Sequence, residues 1–375
     1  MIFSLTINAM IAIIASLIII RPFISSLAYP VIDLIFSGIS IVSLIIWLVL
    51  NKAALRLRNI TYPVGLFIAG LSVSLIGAAD MANSILEIYK IIPCILIFMA
   101  ATALDRSQKK NLVFAVICSA LTVCALALYQ YIFGFGHLQN YFTLENITSP
   151  VANRYLYSRR VFFPFITPNA LGGYCAVILP LAISEKRLYW AVIPLSIVLF
   201  LTQSLGALLA LLAGVYIFIL LLSPKIKPGW ITLITSLLAV FGIIFWIRLT
   251  SVSPEAQVPG FFRIQYWRDT LAVIRSHPLL GAGIGNMDLR ASIYTHNFFL
   301  QLWAETGILG ITGFIWICAA VLQRSLRRYY SSPDLLTALL MCSSAVFLLH
   351  NLIDFTFFLP EASFVWWALM GLLAV

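Results

Sequence analysis

Apolar runs of about twenty residues recur from Phe3 to Val375, and this repetition constrains the fold more than any other feature. A helix of about 20 residues matches the roughly 30 Å hydrocarbon thickness of a bilayer. In lipid, each backbone amide must be bonded within its own segment, so such runs form helices. Hydrophobic residues make up 62% of the chain and charged residues 10%, which excludes an ordinary soluble domain. We therefore predict an all-α polytopic membrane protein with a single membrane domain, 1–375.

The runs predict twelve transmembrane helices with both termini in the cytoplasm. The first run has no basic segment before it and no small-residue cleavage site after it, which indicates a retained helix rather than a signal peptide. The last run is short, and we expect it to be tilted or partly interfacial. The predicted spans are 3–20, 31–50, 60–79, 87–104, 112–133, 161–183, 188–203, 205–223, 230–247, 305–323, 334–350 and 360–375.

Lysine and arginine in the short loops predict the orientation, because cationic loops are retained in the cytoplasm. Two longer segments, 134–160 and 248–304, become periplasmic loops, the larger one between helices 9 and 10. The cytoplasmic basic residues are Lys52, Arg56, Arg58, Arg106, Lys109, Lys110, Lys186, Arg187, Lys225, Lys227, Arg324, Arg327 and Arg328.

The net charge of +10 does not indicate nucleic-acid binding, because the topology signals already explain the cytoplasmic basic residues. All six cysteines fall inside predicted spans, so neither a disulfide framework nor a zinc knuckle is expected. We expect no metal and no cofactor.

Arginine outnumbers lysine nine to one on the predicted outer side, where Lys90 is the single lysine. A planar guanidinium binds phosphate through two parallel hydrogen bonds, so the bias favours a phosphate-bearing substrate. Chance together with binding to lipid headgroups is the other interpretation. The nine are Arg21, Arg154, Arg159, Arg160, Arg248, Arg263, Arg268, Arg275 and Arg290.

The four histidines also lie on or near the predicted outer face, and histidine is the side chain best suited to accept a proton near neutral pH. Each could equally be a hydrogen-bonded interfacial histidine. They are His137, His277, His296 and His350.

An interfacial helix is predicted near 262–276, inside the larger periplasmic loop. Its arginines would lie at the depth of lipid phosphates, although a plain surface anchor fits the same pattern. The apolar stripe is Ile264, Trp267, Leu271 and Ile274, with Arg263 on one border and Arg268 and Arg275 on the other.

Three further patterns keep two interpretations each. The glycines of 281–285 form a tight turn, or they let backbone approach a pyrophosphate. The prolines and glycines of 164–173 break the sixth span to open a groove for a lipid chain, or they only kink it for packing. His350 and Asp354, four residues apart, orient a catalytic partner, or they bond to each other.

The segment 159–375 resembles the O-antigen ligase and polymerase family of membrane glycosyltransferases. His296-Asn297, nine residues and then Gly307-x-x-Gly310 carry the resemblance, together with Arg263, Trp267 and His277-Pro278-Leu279-Leu280-Gly281. The other matching elements are Pro168-Asn169-Ala170, Leu201-Thr202-Gln203-Ser204 and His350-Asn351-Leu352-Ile353-Asp354.

The resemblance implies a GT-C-like fold and a metal-independent, inverting transfer of a glycan from undecaprenyl pyrophosphate to a sugar hydroxyl of lipid A core. It places the active site at the periplasmic face of the bacterial inner membrane, among membrane lipids. His296, Arg263 and Asp354 match the family's catalytic positions. The family has arginine where this chain has Leu205, so Arg159 or Arg160 is expected to replace that charge, or activity is altered. The pyrophosphate-binding set is Arg159, Arg160, Arg263 and Arg268, and the supporting set is Trp267, Asn297, Gly307, Gly310, His350 and Asn169.

Other functions remain open. A polymerase would hand the glycan to another lipid-linked repeat through the same residues, whereas a protein O-glycosyltransferase would be expected to carry an extra outer domain. A twelve-helix transporter of an anionic or lipid-linked solute should show ionisable groups near mid-bilayer and two repeated halves. Neither feature is found in the sequence.

Overall fold

Helix is the main secondary structure in the part of the chain that the structure describes. Within it, the only pairing of strand type is an isolated bridge between Leu289 and Ser292. The all-α prediction is confirmed to that extent. The computed structural model describes residues 2–50, 58–146, 153, 156–222, 228–250, 259–287, 289 and 292–374.

The helices follow the apolar runs, with ends set by capping residues such as Asp80, Asp105, Thr167 and Asp334, whose side chains accept hydrogen bonds from the first-turn amides. In chain order the helices are α1 (Ile2–Ile20), α2 (Pro30–Leu50), α3 (Arg58–Ser74), α4 (Met81–Thr102), α5 (Arg106–Tyr129), α6 (Phe135–Leu144), α7 (Pro168–Ala182), α8 (Val192–Leu201), α9 (Leu205–Leu222), α10 (Pro228–Thr250), α11 (Pro259–Ser276), α12 (Phe298–Ser331), α13 (Leu335–His350) and α14 (Pro360–Leu373).

Five helical segments in the described residues are long and apolar enough to cross a membrane. Five more helices are apolar but shorter. A multi-pass membrane architecture is therefore confirmed, whereas the count of twelve spans and the side of each terminus stay predictions. The long segments are Pro30–Leu50, Ile60–Gly77, Met81–Thr102, Arg106–Leu144 and Phe298–Ser331.

The tightest packing is between α3 and α12, where small residues let two backbones approach closely. Gly70 lies directly against Gly310, and Gly313 lies against the backbone of Phe67. A side chain at Gly70 would overlap backbone atoms of the partner helix. This crossing fixes α12, which carries part of the candidate site, to the rest of the bundle.

Helix α14 is buried along its whole length, so the expectation that it is partly interfacial is wrong, whereas its tilt stays a prediction. It packs mainly against α4 and also contacts α13. Trp366 and Trp367 are at most 1% exposed. Because protein surrounds α14 on every side, its 14 residues need not match the thickness of the bilayer.

Predicted cytoplasmic residues gather at one end of the bundle. Arg106, beginning α5, donates to the Asp334 carboxylate at 3.1 Å. Lys109 donates to the Leu372 carbonyl near the end of α14 at 3.0 Å. The end of α13 that carries the candidate site, at His350, is the opposite end of that helix from Asp334.

Helix α5 does not end where the periplasmic loop 134–160 was predicted to begin. It continues through a π-helical segment, Gln130–Gly134, into α6, which ends at Leu144. The buried Gln130 side chain accepts hydrogen bonds from the Phe162 and Phe163 amides at 2.8 and 3.0 Å. The predicted sixth span is shorter than expected, because residues 161–167 are not helical. Residues 147–152 and 154–155 of that loop lie outside the described residues.

Helix α12 begins seven residues before the predicted span 305–323 and is broken at Gly307, whose φ of 64° and ψ of −168° are not helical. The segment around Leu279 fills the break, since the Ile308 amide donates to the Pro278 carbonyl at 3.1 Å. A Cβ at Gly307 would overlap the Leu279 carbonyl. Only glycine fits this position without strain.

Candidate active site

His296 lies in the short loop between α11 and α12, in a left-handed backbone conformation with φ of 52°. Two aromatic rings bracket its imidazole. Tyr266 of α11 stacks on it with ring centroids 6.2 Å apart, and Phe355 meets it edge-on at 4.9 Å. Three parts of the chain that are far apart in sequence therefore meet at this histidine.

Arg263 lies one helical turn before Tyr266, on the face of α11 that packs against the protein. Thr270 and Ile274 on that face are buried. The buried stripe of α11 is therefore centred closer to Arg263 than predicted, and Leu271, assigned to the apolar stripe, is 40% exposed. Packing of Tyr266 and Ile274 against the start of α12 explains this rotation.

The guanidinium of Arg263 acts electrostatically on the imidazole of His296. The pKa of His296 is lowered to about 4 because burial disfavours the charged ring, and Arg263 adds to this lowering while Asp354 opposes it. Burial also lowers the pKa of Arg263, with Asp354 again opposing the shift. His296 is consequently neutral near pH 7 and able to accept a proton.

Asp354 lies in the loop between α13 and α14 and is 1% exposed. Its Oδ1 accepts a hydrogen bond from the Phe355 amide at 2.8 Å. The Nδ1 atom of His296 is buried and makes no hydrogen bond within the described residues. The idea that Asp354 fixes the tautomer of His296 through a hydrogen bond therefore has no support in this geometry, and Asp354 acts on His296 through its charge.

His350 ends α13, beside Asp354. Its Nδ1 lies 3.4 Å from Thr356 Oγ1, so its ring is hydrogen-bonded to the connection between α13 and α14. The ring packs against Gly173 of α7, where a Cβ would collide with it. Gly173 thus places α7 against the loop that carries Asp354.

The Thr202-Gln203-Ser204 corner between α8 and α9 packs on the same part of α7. Gly172 leaves space for the side chains of Thr202 and Ser204. Arg160 is held there, donating from Nε to the Thr202 carbonyl at 2.8 Å and from Nη2 to Asn169 Oδ1 at 3.0 Å. Arg160 therefore places a guanidinium at this corner, where Leu205 itself supplies none.

Arg159 points elsewhere. It donates to the Tyr131 carbonyl at 2.8 Å, and its guanidinium lies 5.0 Å from the centre of the Tyr131 ring. Of the two candidates for the missing charge, Arg160 is the one at the Thr-Gln-Ser corner.

Comparison with known proteins relates part of the chain to a family. Residues 190–315 match the family model described as O-antigen ligase. The predicted resemblance to that family is confirmed. The matched segment covers about a third of the chain and contains Arg263 and His296. A search of curated proteins finds no match.

Three of the other arginines predicted on the outer side lie away from the candidate site. Arg268 and Arg275 are exposed, and Arg268 leaves α11 about 140° around the helix from Arg263. Arg21 is fully buried in an ion pair with Asp33, so its assignment to the phosphate-binding bias is wrong. Arg154, Arg290 and the side chain of Arg248 lie outside the described residues.

The glycine turn of residues 281–286 is structural. The amides of Ala282 and Gly283 donate to the carbonyls of Ala304 and Glu305 at 2.9 and 3.0 Å. Because α12 already occupies these amides, they cannot also bind a pyrophosphate. The tight-turn interpretation is the one that the geometry supports.

The supporting residues of the O-antigen ligase segment have distinct structural tasks. Asn297 caps α12 by accepting the Leu300 amide at 3.1 Å. Gly307 breaks the helix, and Gly310 allows the contact with α3. Trp267 is half-buried, and its Nε1 has no hydrogen-bond partner in the described part of the chain.

The sequence analysis missed Tyr266 and Phe355 at the site, and it missed three buried acids, Asp33, Glu305 and Glu361. The aromatic bracket gives no local pattern, since its rings come from α11 and from the loop between α13 and α14. Gln301 and Glu305 did leave a signal, because they are polar residues four apart directly after His296-Asn297. Among the described residues no group of three or more His, Cys, Asp or Glu side chains is arranged to hold a metal.

Proposed function

We propose that this protein transfers a glycan from undecaprenyl pyrophosphate to a sugar hydroxyl, at the predicted periplasmic face of the bacterial inner membrane. The proposal rests on one observation, that Arg263 and Asp354 both act electrostatically on the buried imidazole of His296. The family match supports glycan transfer of the O-antigen ligase or polymerase type. Lipid A core is the proposed acceptor.

His296 is the proposed general base. Its pKa of about 4 keeps the ring neutral, so a lone pair is available for the hydroxyl proton. Bound pyrophosphate would counteract the charge of Arg263, raise the pKa of the imidazole and make the ring a stronger base. Proton acceptance of this type contributes roughly 10² to 10⁴ in rate.

Arg263 and Arg160 are the proposed pyrophosphate-binding residues. The acceptor oxygen bonds to the anomeric carbon while the bond from that carbon to the pyrophosphate oxygen breaks, which inverts the anomeric centre. The proton passes to His296, and undecaprenyl pyrophosphate departs with the electron pair. Each charged hydrogen bond to the leaving group contributes roughly 1.5–3 kcal/mol when partly desolvated.

The decisive experiment incubates the purified full-length protein with an undecaprenyl-pyrophosphate-linked glycan and, separately, lipid A core or a second portion of the donor. Transfer to lipid A core identifies a ligase, and growth of the lipid-linked chain identifies a polymerase. His296→Ala should lower turnover by roughly 10² to 10⁴. The same substitution at the exposed His277 is the matched control, expected to retain activity.

Absence of transfer to either acceptor, under conditions that support a known O-antigen ligase, would refute the proposal. So would equal turnover of the wild type and His296→Ala.

A further inference from the structure

Three polar side chains close in sequence to His296 are buried. Thr295, Gln301 and Glu305 are 0%, 2% and 1% exposed. An unpaired buried polar group is costly, so such a group is usually hydrogen-bonded within the protein. None of the three belongs to the catalytic or pyrophosphate-binding set above.

Thr295 bridges the backbone across His296. Its hydroxyl donates to the Asn297 carbonyl at 2.7 Å and accepts from the Asn297 amide at 3.1 Å. His296 stands between these two residues with a positive φ, a strained conformation that a residue other than glycine keeps only where its surroundings impose it. The hydroxyl of Thr295 is a direct constraint on that conformation.

Gln301, in the first turns of α12, fixes Thr295 in turn. Its Oε1 accepts from the Thr295 amide at 3.0 Å. Its Nε2 donates to Glu305 Oε1 at 2.8 Å and to the Ile293 carbonyl at 3.4 Å. The Thr295 amide can only donate, so it selects the Oε1 end of the Gln301 amide, and the Glu305 side chain accepts from the Nε2 end.

We propose that Thr295, Gln301 and Glu305 are positioning residues, a hydrogen-bonded chain that holds the His296 imidazole where it takes the proton from the acceptor hydroxyl. This inference rests on the proposed function. This hydrogen-bonded chain begins at α12 and ends at the backbone on both sides of His296, so a rigid helix restricts the conformation of a loop residue.

Loss of the chain should lower kcat more than it raises KM. A misplacement of about 1 Å can cost on the order of 10²-fold in rate. Arg263 belongs to α11, so binding of the donor does not depend on the conformation at residue 296.

The test compares variants of the full-length protein in detergent. Thr295→Val removes the hydroxyl at nearly constant volume, whereas Thr295→Ser keeps it. Thr306→Val is the matched control, because Thr306 is also buried and its hydroxyl returns to the Leu302 carbonyl of its own helix. Glu305→Leu removes the acceptor for Gln301, and Glu305→Gln keeps one.

We expect Thr295→Val and Glu305→Leu to lower kcat by roughly 10- to 100-fold with KM changed less than about threefold. Thr295→Ser, Glu305→Gln and Thr306→Val should stay within about threefold of the wild type. Rates are calculated per mole of folded protein, and thermal unfolding gives the folded fraction of each variant. Wild-type kcat in folded Thr295→Val would overturn the inference.

A second measurement is independent of glycan transfer. Diethyl pyrocarbonate modifies neutral imidazole, and mass spectrometry reports the rate at His296 as a function of pH, with His277 as an internal reference. Thr295→Val should change the rate or the pH midpoint at His296 and leave His277 unchanged. A changed profile without any wild-type glycan transfer supports the positioning role and refutes the proposed function. An unchanged profile refutes the positioning role.

Discussion

At the scale of single residues, the environment decides what each titratable side chain can do. His296 has a pKa of about 4 because its ring is buried and Arg263 is near, with Asp354 opposing. The type and position of His296 could be identified from the sequence. Its neutral state depends on groups about 33 and 58 residues away, whose approach no local pattern specifies.

The pH dependence follows from this pKa. As the base must be unprotonated, kcat/KM should remain constant from pH 8 to about 5.5 and fall as the pH drops through about 4. Removing the positive charge in Arg263→Gln should raise the pKa of His296, and Asp354→Asn should lower it. Diethyl pyrocarbonate labelling against pH measures both midpoints. Shifts in the same direction for the two variants would contradict the electrostatic account.

The two neighbouring arginines of the predicted pyrophosphate set should differ in effect. Arg160→Gln should lower kcat/KM by roughly 10- to 100-fold, because a charged hydrogen bond to the leaving group is lost. Arg159→Gln should change it less than about threefold, since Arg159 is exposed and bonded to Tyr131. Steady-state transfer assays distinguish the two. A larger effect at Arg159 would reverse the assignment.

At the scale of helices, the sequence located regular apolar segments well and broken ones poorly. The predicted span 205–223 agrees with α9, which is uninterrupted from Leu205 to Leu222. The span 305–323 begins too late, because Gln301 and Glu305 lower the local hydropathy although they are bonded inside the protein. Hydropathy counts a polar side chain as a cost, whereas tertiary structure can satisfy it.

The break in α12 supplies a test at this scale. Gly307→Ala should destabilise the fold by roughly 1–3 kcal/mol or more, because the residue has a positive φ and its Cβ would meet the Leu279 carbonyl. Gly242→Ala in α10 is the control, as nothing surrounds the added methyl and alanine favours helix by about 0.5–1 kcal/mol. Thermal unfolding of both variants measures the difference. Equal unfolding midpoints for the two variants would show that a side chain at residue 307 causes no strain.

At the scale of the whole molecule, a buried ion network joins the two ends of the chain. Arg21 contacts Asp33 at 2.5 Å and Glu361 at 3.8 Å, and all three side chains are at most 1% exposed. Arg21 also lies 5.1 Å from the centre of the Phe36 ring. The network connects the α1–α2 hairpin to α14, directly after the loop that carries Asp354.

Breaking this network should cost far more than breaking an exposed pair. Arg21→Met leaves two carboxylates buried without their cation, and we expect a loss of about 3–5 kcal/mol. Arg106→Met disrupts the pair with Asp334, in which Arg106 is 76% exposed, and should cost at most about 1 kcal/mol. Denaturation in detergent, followed by tryptophan fluorescence, measures both. Similar losses would mean that the buried network contributes no more than a surface pair.

The sequence by itself determined the helical membrane architecture and the resemblance to the O-antigen ligase family, because long apolar runs form helices in lipid and the His-Asn and glycine spacing is local. It also identified Arg263, His296 and Asp354 as candidates. Only the tertiary structure decided that Arg160 rather than Arg159 lies at the Thr-Gln-Ser corner, that Arg21 is an ion-pair residue, and that Tyr266 and Phe355 enclose His296. These contacts join residues far apart in the chain, and their distances depend on how whole helices pack.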